Sequence, residues 1–157
     1  MSTVEIERRF LIPEVGSLDL PKFEKLEIVQ SYIETKGLVT RVRVVGKKAF
    51  LTMKGPKVEG QCDEFEYEIP YEDGMKLSEK YCGSRVVSKT RYLIPNGETT
   101  IELDVFHGDL EGLVIAEVEV DSISETIDIP KWFGEEITNN NFYSNYSLAT
   151  VKYLDLC

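Results

Sequence analysis

Residues 85–106 read RVVSKTRYLIPNGETTIELDVF and contain two strand patterns joined by a turn. In both halves charged side chains occupy every second position, first at Lys89 and Arg91 and then at Glu102 and Asp104. Alternation with a period of two is typical of a strand whose two faces meet different surroundings. The Asn-Gly pair between the halves is a strong signal for a tight hairpin turn. This stretch therefore predicts an antiparallel hairpin with its charges on one face.

Six further segments repeat the alternation, so the chain reads mainly as β-strands; they are residues 3–11, 27–35, 38–45, 49–54, 62–69 and 113–120. A helix is expected at residues 73–82, with Asp73 as its N-cap and Gly83 as its C-terminal stop. Shorter helices are expected at residues 19–26 and 139–152. Eight strands with so few helices are typical of a sandwich or a barrel.

The composition limits the sites that this chain can build. One histidine and three widely spaced cysteines exclude most Ser-His-Asp triads and close His/Cys zinc clusters. Any metal must be held mainly by carboxylates, which select hard ions such as Mg²⁺ or Mn²⁺. A net charge of −10 argues against binding to nucleic acid or to an anionic membrane surface. A local basic pocket for a small anion remains compatible with it.

Length and targeting signals give a simple expectation. The chain of 157 residues is long enough for one domain, residues 1–157, and short for two. No apolar run approaches the roughly 20 residues that span a bilayer, and the first residues lack a signal-peptide pattern. We therefore expect a single-domain cytoplasmic protein, either monomeric or a homodimer.

One face of the predicted strands is consistently charged, and the signs are segregated within strands. A plain solvated sheet face also alternates polar and apolar residues, and for any single strand this remains the simpler explanation. However, like charges two residues apart lie only about 6.6 Å from each other and repel. A concave site for both cations and an anion would explain the pattern. The charged positions are Glu5, Glu7, Arg9, Arg41, Arg43, Lys54, Glu64, Glu66, Glu68, Lys89, Arg91, Glu102, Asp104, Glu117 and Glu119.

The N-terminal string VEIERRFL, residues 4–11, resembles the ExExK signature of the CYTH superfamily, also called triphosphate tunnel metalloenzymes. Further strings resemble that family in the right order: TRVRV, LTMKGP, EFEYEIP, SKTRY, IELDVF, AEVEV and the later WFGEEIT. The resemblance implies a mainly β fold, an eight-stranded antiparallel β-barrel or tunnel with a few short helices outside. It also implies a divalent metal and a triphosphate-bearing substrate.

By position, the resemblance implies three groups of site residues. The metal ligands would be Glu5, Glu7 and Glu119, with Glu117 close by. The basic residues would clamp the phosphates; they are Arg9, Arg41, Arg43, Lys54, Lys89 and Arg91. The remaining acids would serve a second metal or an attacking water; they are Glu64, Glu66, Glu102 and Asp104.

Arg9 departs from the signature, whose last position is Lys in most members. An arginine does not deprotonate at working pH, so Arg9 can act only as a fixed cation or donor. Arg9 therefore cannot act as a proton acceptor at this position.

The expected activity is metal-dependent hydrolysis of the terminal phosphate of a triphosphate, with inorganic tripolyphosphate as the first choice of substrate. The charged face shows no obvious apolar slot for a nucleobase, because the apolar side chains are expected on the opposite face. Two alternatives stay open on the same barrel: an adenylate cyclase, and a non-catalytic module that binds polyphosphate or nucleotide.

Overall fold

The computed structural model describes residues 6–16, 18–56, 58, 62–121 and 126–150. Within these ranges eight strands form one sheet: β1 (Glu7–Leu11), β2 (Glu24–Ile33), β3 (Val39–Val45), β4 (Lys48–Lys54), β5 (Glu64–Ile69), β6 (Val86–Asn96), β7 (Thr99–Phe106) and β8 (Val114–Glu119). Two α-helices are described, α1 (Tyr71–Tyr81) and α2 (Asn145–Thr150). Three short 3-10 helices accompany them at Leu20–Lys22, Gly108–Leu110 and Asn141–Tyr143.

The sheet order is β1-β8-β7-β6-β2-β3-β4-β5, and every neighbouring pair is antiparallel. The predicted mainly β, eight-stranded antiparallel architecture is therefore confirmed. β1 and β5 are the two edges, and in the described part of the chain no ladder joins them. The sheet is consequently tunnel-like without a continuous ring of backbone hydrogen bonds.

The charged face is the inner face of the curled sheet. Lys89, Asp104 and Thr52 lie on this face and are at most 1% exposed. Helix α1 cannot account for that burial, because it packs on the opposite face, where Gly74 contacts Ala49. The curl of the sheet therefore buries these side chains together with α2, whose Asn145 accepts a hydrogen bond from Lys89 on this face.

An apolar core covers the outer face of β1, β6, β7 and β8. Its buried centre includes Phe10, Leu103 and Val118, and the partly buried Trp132 and Phe133 pack against it. The Phe10 and Phe133 rings lie 4.8 Å apart between centroids. The later part of the chain thus shields the outer face from water, which frees the inner face to carry charge.

The start of α1 differs from the prediction. The helix begins at Tyr71 with Pro70 as its N-cap, so Asp73 lies inside the first turn. The Pro70 carbonyl accepts a hydrogen bond from the Gly74 amide at 3.0 Å, which closes this turn before Asp73 could cap it. In the first turn the Asp73 carboxylate still interacts favourably with the helix dipole. The predicted stop is confirmed, because Cys82 is the C-cap and Gly83 follows with φ of +59°.

The predicted helix at residues 19–26 was largely wrong. Only Leu20–Lys22 form a 3-10 turn, and β2 begins at Glu24. The reason is tertiary pairing, because β6 extends β2 in this direction and Glu24 aligns with Leu93. The predicted helix behind an asparagine cap at residues 139–152 is only partly right. Asn140 accepts a hydrogen bond from the Phe142 amide, but it caps the 3-10 turn Asn141–Tyr143. The helix α2 begins only at Asn145, where Ser144 Oγ accepts a hydrogen bond from the Ser147 amide.

Candidate functional site

Strand register sets the predicted charges side by side on the inner face. On one side of the sheet Arg41 aligns with Thr52, and Thr52 aligns with Glu66. On the other side Arg91 aligns with Asp104. Because antiparallel partners on one face lie about 4.5–5.5 Å apart at Cβ, these rows place acids and bases in direct contact.

Lys89 and Asp104 form a completely buried ion pair in which both side chains are 0% exposed. Lys89 Nζ lies 2.8 Å from Asp104 Oδ2, and Arg91 donates to both Asp104 oxygens at 2.7 and 3.0 Å. Burial lowers the pKa of Lys89, with the Asp104 charge opposing that shift. Although burial acts against it, the hydrogen bond to Asp104 raises the pKa of Arg91. Asp104 thus uses both oxygens to hold two cations.

Arginine side chains cluster further along the inner face, and some of their N–H groups have no acceptor in the described structure. Burial first, and then the positive charges of Arg41 and Arg91, lower the pKa of Arg43. Arg41 Nε and Arg9 Nη2 are buried without a hydrogen-bond partner in the described structure. A buried donor with no acceptor is costly, so such groups mark a place where an acceptor binds. An anion with several oxygens would satisfy them.

The predicted metal ligands lie at the β1–β8 edge of the face. Glu7 aligns with the exposed Glu119, and Arg9 aligns with Glu117. Glu117 Oε1 lies 3.2 Å from Arg9 Nε, and Glu117 Oε2 lies 3.6 Å from Arg91 Nη2. Although burial acts to raise it, a hydrogen bond shared with the Glu7 carboxyl group and the nearby cations hold the pKa of Glu117 well below its ordinary range.

Glu5, the remaining predicted ligand, lies outside the described residues. Within the described ranges no three carboxylate, His or Cys side chains come close enough together to hold a metal ion. The oxygen donors of Glu7 and Glu119 nevertheless suit a hard cation such as Mg²⁺ or Mn²⁺. They supply two carboxylates at one edge, and phosphate oxygens or water would have to complete a coordination shell.

The acids of β5 accompany the clamp cations of β3 and β4. Lys54 Nζ lies 3.9 Å from Glu64, and Arg41 Nη2 lies 3.4 Å from Glu66. Thr52 also donates to Glu66 at 3.0 Å. On the far side, Glu102 forms an ion pair with Arg91. The structure therefore brings the four remaining predicted acids next to the predicted phosphate-binding cations.

Four neutral polar residues of the site were not predicted: Gln30, Tyr32, Thr52 and Asn145. Gln30 and Tyr32 lie on β2, opposite Arg43 and Arg41 respectively, and are at most 3% exposed. Asn145 Oδ1 accepts a hydrogen bond from Lys89 at 3.1 Å. The available signal was their spacing, since Gln30 and Tyr32 are two residues apart on a predicted strand and so share a face.

The inner face is apolar at one end, contrary to the expectation that its apolar residues lie on the opposite face only. Val87, Phe106 and Ile115 follow the same alternation as Lys89, Asp104 and Glu117 and form a buried cluster. Leu148 and Ala149 of α2 belong to this cluster, and α2 packs against β2 and β6. The apolar end is therefore filled by the protein's own helix.

None of the helices in the described ranges combines the length and apolar composition needed to cross a membrane.

Comparison with known proteins identifies the family. A match to the CYTH domain covers residues 3–150. The chain belongs to the CYTH domain family. The membership predicted from the charged strands is thereby confirmed.

Two relatives align with nearly the whole chain. An inorganic triphosphatase of Acetivibrio thermocellus is 35% identical over 150 residues, covering 95% of both chains. An inorganic triphosphatase of Nitrosomonas europaea is 34% identical, covering 92% of this chain and 96% of its own. A crystal structure of the inorganic triphosphatase NE1496 superposes with a TM-score of 0.72 at 32% identity, covering 95% of this chain and 96% of the other.

Proposed function

We propose that this CYTH protein is a divalent-metal-dependent inorganic triphosphatase that removes the terminal phosphate of tripolyphosphate. The observation that carries the proposal is a pair of buried guanidinium donors, Arg41 Nε and Arg9 Nη2, for which the described residues offer no acceptor. They accompany a cluster in which Arg41 and Arg91 repel Arg43. A chain of phosphates brings many acceptor oxygens and negative charge to such a cluster. The names of the two relatives support the same substrate class.

The cations have distinct tasks in binding. Arg41, Arg43 and Arg91 would each donate in a forked geometry to phosphate oxygens. Lys54, which is partly exposed and only loosely paired with Glu64, would act as a mobile point charge. Lys89 is fully buried against Asp104 and Asn145. It would contribute to phosphate binding mainly through its positive charge, and through any ammonium hydrogen that points toward the substrate. Arg9 would hold Glu117 and supply one free donor.

A hard divalent cation would be held by Glu7 and Glu119, together with Glu5 of the same motif and with Glu117 nearby. When bound, Mg²⁺ or Mn²⁺ would supply positive charge that offsets the negative charge developing during phosphoryl transfer. The protein's own part is to orient the chain and to exclude other acceptors. Glu64, Glu66 and Glu102 lie beside the cations that would bind the phosphates, and one of these acids would orient the attacking water.

Tyr32 would add a neutral donor beside these cations. Its hydroxyl is buried next to Arg41 and Arg43, and burial raises its pKa. The hydroxyl therefore keeps its proton at neutral pH and can donate it to a phosphate oxygen.

The filled apolar end favours a short inorganic substrate over a nucleotide. A nucleobase needs an apolar or stacking surface, and at the α2 end of the inner face that surface is occupied by Leu148 and Ala149. An adenylate cyclase would also have to hold a ribose hydroxyl in line with the α-phosphorus. Incubation with ATP and, separately, with tripolyphosphate should release phosphate faster from tripolyphosphate. Cyclic AMP and pyrophosphate from ATP, with tripolyphosphate untouched, would establish the cyclase instead; tight binding without any products would establish a binding module.

The metal ligands can be tested with a matched control. Glu7→Gln and Glu119→Gln should each abolish metal-dependent phosphate release while the far-ultraviolet circular dichroism is retained. Glu79→Gln is the control, because Glu79 is exposed on α1, which packs on the opposite face of the sheet. Near-normal turnover by Glu7→Gln would remove this residue from the metal site.

Localisation and assembly stay predictions. We propose a cytoplasmic protein that acts on a small molecule and binds neither nucleic acid nor membrane. Light scattering after size-exclusion chromatography would distinguish a homodimer from a monomer.

A further inference from the structure

Gln30 occupies a completely buried position between two groups of the anion site. Arg43 Nε donates to Gln30 Oε1 at 3.0 Å, and Gln30 Nε2 donates to the Tyr32 hydroxyl at 3.1 Å. The Gln30 residue is 0% exposed and Tyr32 is 3% exposed. The side-chain amide therefore has fixed partners at both ends.

The chemistry of arginine fixes the direction of this chain. A guanidinium can only donate, so the amide oxygen of Gln30 must face Arg43. The amide nitrogen then faces Tyr32, and the hydroxyl must accept. A flipped amide would set two donors against each other at Arg43.

This direction leaves the Tyr32 proton without a protein acceptor. Among the described residues none accepts it, and the neighbouring Arg41 guanidinium is itself a donor. Since burial raises the pKa of Tyr32, the hydroxyl stays protonated. Its one proton is therefore available to an anion bound at Arg41 and Arg43.

We propose that Gln30 is a positioning residue that sets the polarity of the Arg43–Gln30–Tyr32 chain, so that Tyr32 presents its proton to a phosphate oxygen. This inference rests on the proposed function for the identity of the anion. It also explains why an amide stands at this position. A carboxylate could accept from Arg43 equally well, but it would take the Tyr32 proton for itself.

The test is a double-mutant cycle between Gln30→Glu and Tyr32→Phe. Alone, Tyr32→Phe should lower kcat/KM for tripolyphosphate about tenfold. It should also lower the association constant of the protein for tripolyphosphate about tenfold, because one hydrogen-bond donor to a charged acceptor is lost. Gln30→Glu should cost at least as much, because it turns the Tyr32 proton away. In the Gln30→Glu background, Tyr32→Phe should change either quantity by less than about twofold, because its donor has already been lost.

The cycle separates proton direction from simple charge. If Glu at position 30 acts only by repelling phosphate, Tyr32→Phe would still cost about tenfold in that background, and the proposal would be overturned. The control is Ser31→Ala, which removes a 2.6 Å contact with Ser78 on the opposite face of β2. In that background Tyr32→Phe should keep its full effect. Gln30→Met, which keeps the chain length without either bond, guards against a folding defect specific to glutamate.

Binding and turnover are measured separately, by calorimetry and by phosphate release. If the wild type binds tripolyphosphate without hydrolysing it, the proposed function fails. The double-mutant cycle measured by calorimetry then still tests the role of Gln30. If the wild type does not bind tripolyphosphate at all, both proposals fall.

Discussion

Replacing Asp104 by asparagine removes the charge that compensates two buried cations. Asp104 contacts Lys89 at 2.8 Å and Arg91 at 2.7 and 3.0 Å, and its side chain is 0% exposed. Asparagine keeps the size and one acceptor oxygen, so the change is almost purely electrostatic. Lys89 would retain only the neutral Asn145 as its other hydrogen-bond partner among the described residues.

The expected loss follows from burial. Removing one partner of a buried ion pair costs about 3–5 kcal/mol, because the other charge is left uncompensated. Domains of this kind are stable by only about 5–15 kcal/mol in total. We therefore expect Asp104→Asn to lower the free energy of unfolding by about 3–5 kcal/mol, and the melting temperature by roughly 6–20 °C.

Glu102→Gln is the matched control for this substitution. Glu102 also forms an ion pair with Arg91, but its side chain is 33% exposed. Water screens such a pair, so its loss should cost no more than about 1 kcal/mol. Burial raises the pKa of Glu102, with the Arg91 charge opposing it, which further limits the stabilisation that this carboxylate contributes near neutral pH.

Urea unfolding followed by circular dichroism measures both variants. The slope of free energy against urea should stay unchanged, so that a shifted midpoint reports stability. Tripolyphosphate should raise the midpoint of Asp104→Asn more than that of the wild type, because the anion can then neutralise Lys89 and Arg91. Equal stability of Asp104→Asn and Glu102→Gln would refute the view that the buried pair carries this energy.

Three further predictions follow from single contacts. Arg41→Ala should lower kcat/KM by the equivalent of about 2–4 kcal/mol with an unchanged urea midpoint, measured by phosphate release. Gly74→Ala would place a Cβ 2.5 Å from Ala49 Cβ; this overpacking should cost about 1–3 kcal/mol in urea unfolding, offset by roughly 1 kcal/mol of helix propensity. Asn145→Leu should destabilise the protein by about 1–3 kcal/mol, because it removes an acceptor from buried Lys89.

The sequence was sufficient to predict the eight strands and the charged inner face, because both depend on period-two alternation. Alternation is a local property, and the hairpin turn between β6 and β7 fixed the register of that pair without help from the rest of the fold. The separation of acidic and basic side chains onto different strands also helped to predict the site. It placed Arg41 and Arg43 on one strand and Asp104 on another, and the sheet order then brought Arg41 beside Glu66 and Asp104 beside Arg91.

The features that the sequence did not predict depend on the position of a residue along the inner face and on neutral side chains. Alternation assigns Phe106 to the same face as Asp104 but does not say that a helix remote in sequence will cover it. Gln30 and Tyr32 carry no charge, so nothing in their pattern distinguished them from an ordinary strand. The cap of α1 failed for a related reason, because Pro70 closed the first turn through its carbonyl rather than through a side chain.

The distribution of ion pairs over the inner face indicates where the anion binds. Lys89, Arg91, Arg9 and Arg41 each have a carboxylate within 4 Å. Arg43 differs from them, because within the described ranges it forms no ion pair and its Nε donates to the neutral amide of Gln30. Two neighbouring arginines repel it, and together with burial they lower its pKa. A fold would not keep such a cation for stability alone, since an apolar residue there would cost less. We therefore expect Arg43 to lie where a phosphate of the substrate binds and supplies the negative charge that no carboxylate of the described structure provides.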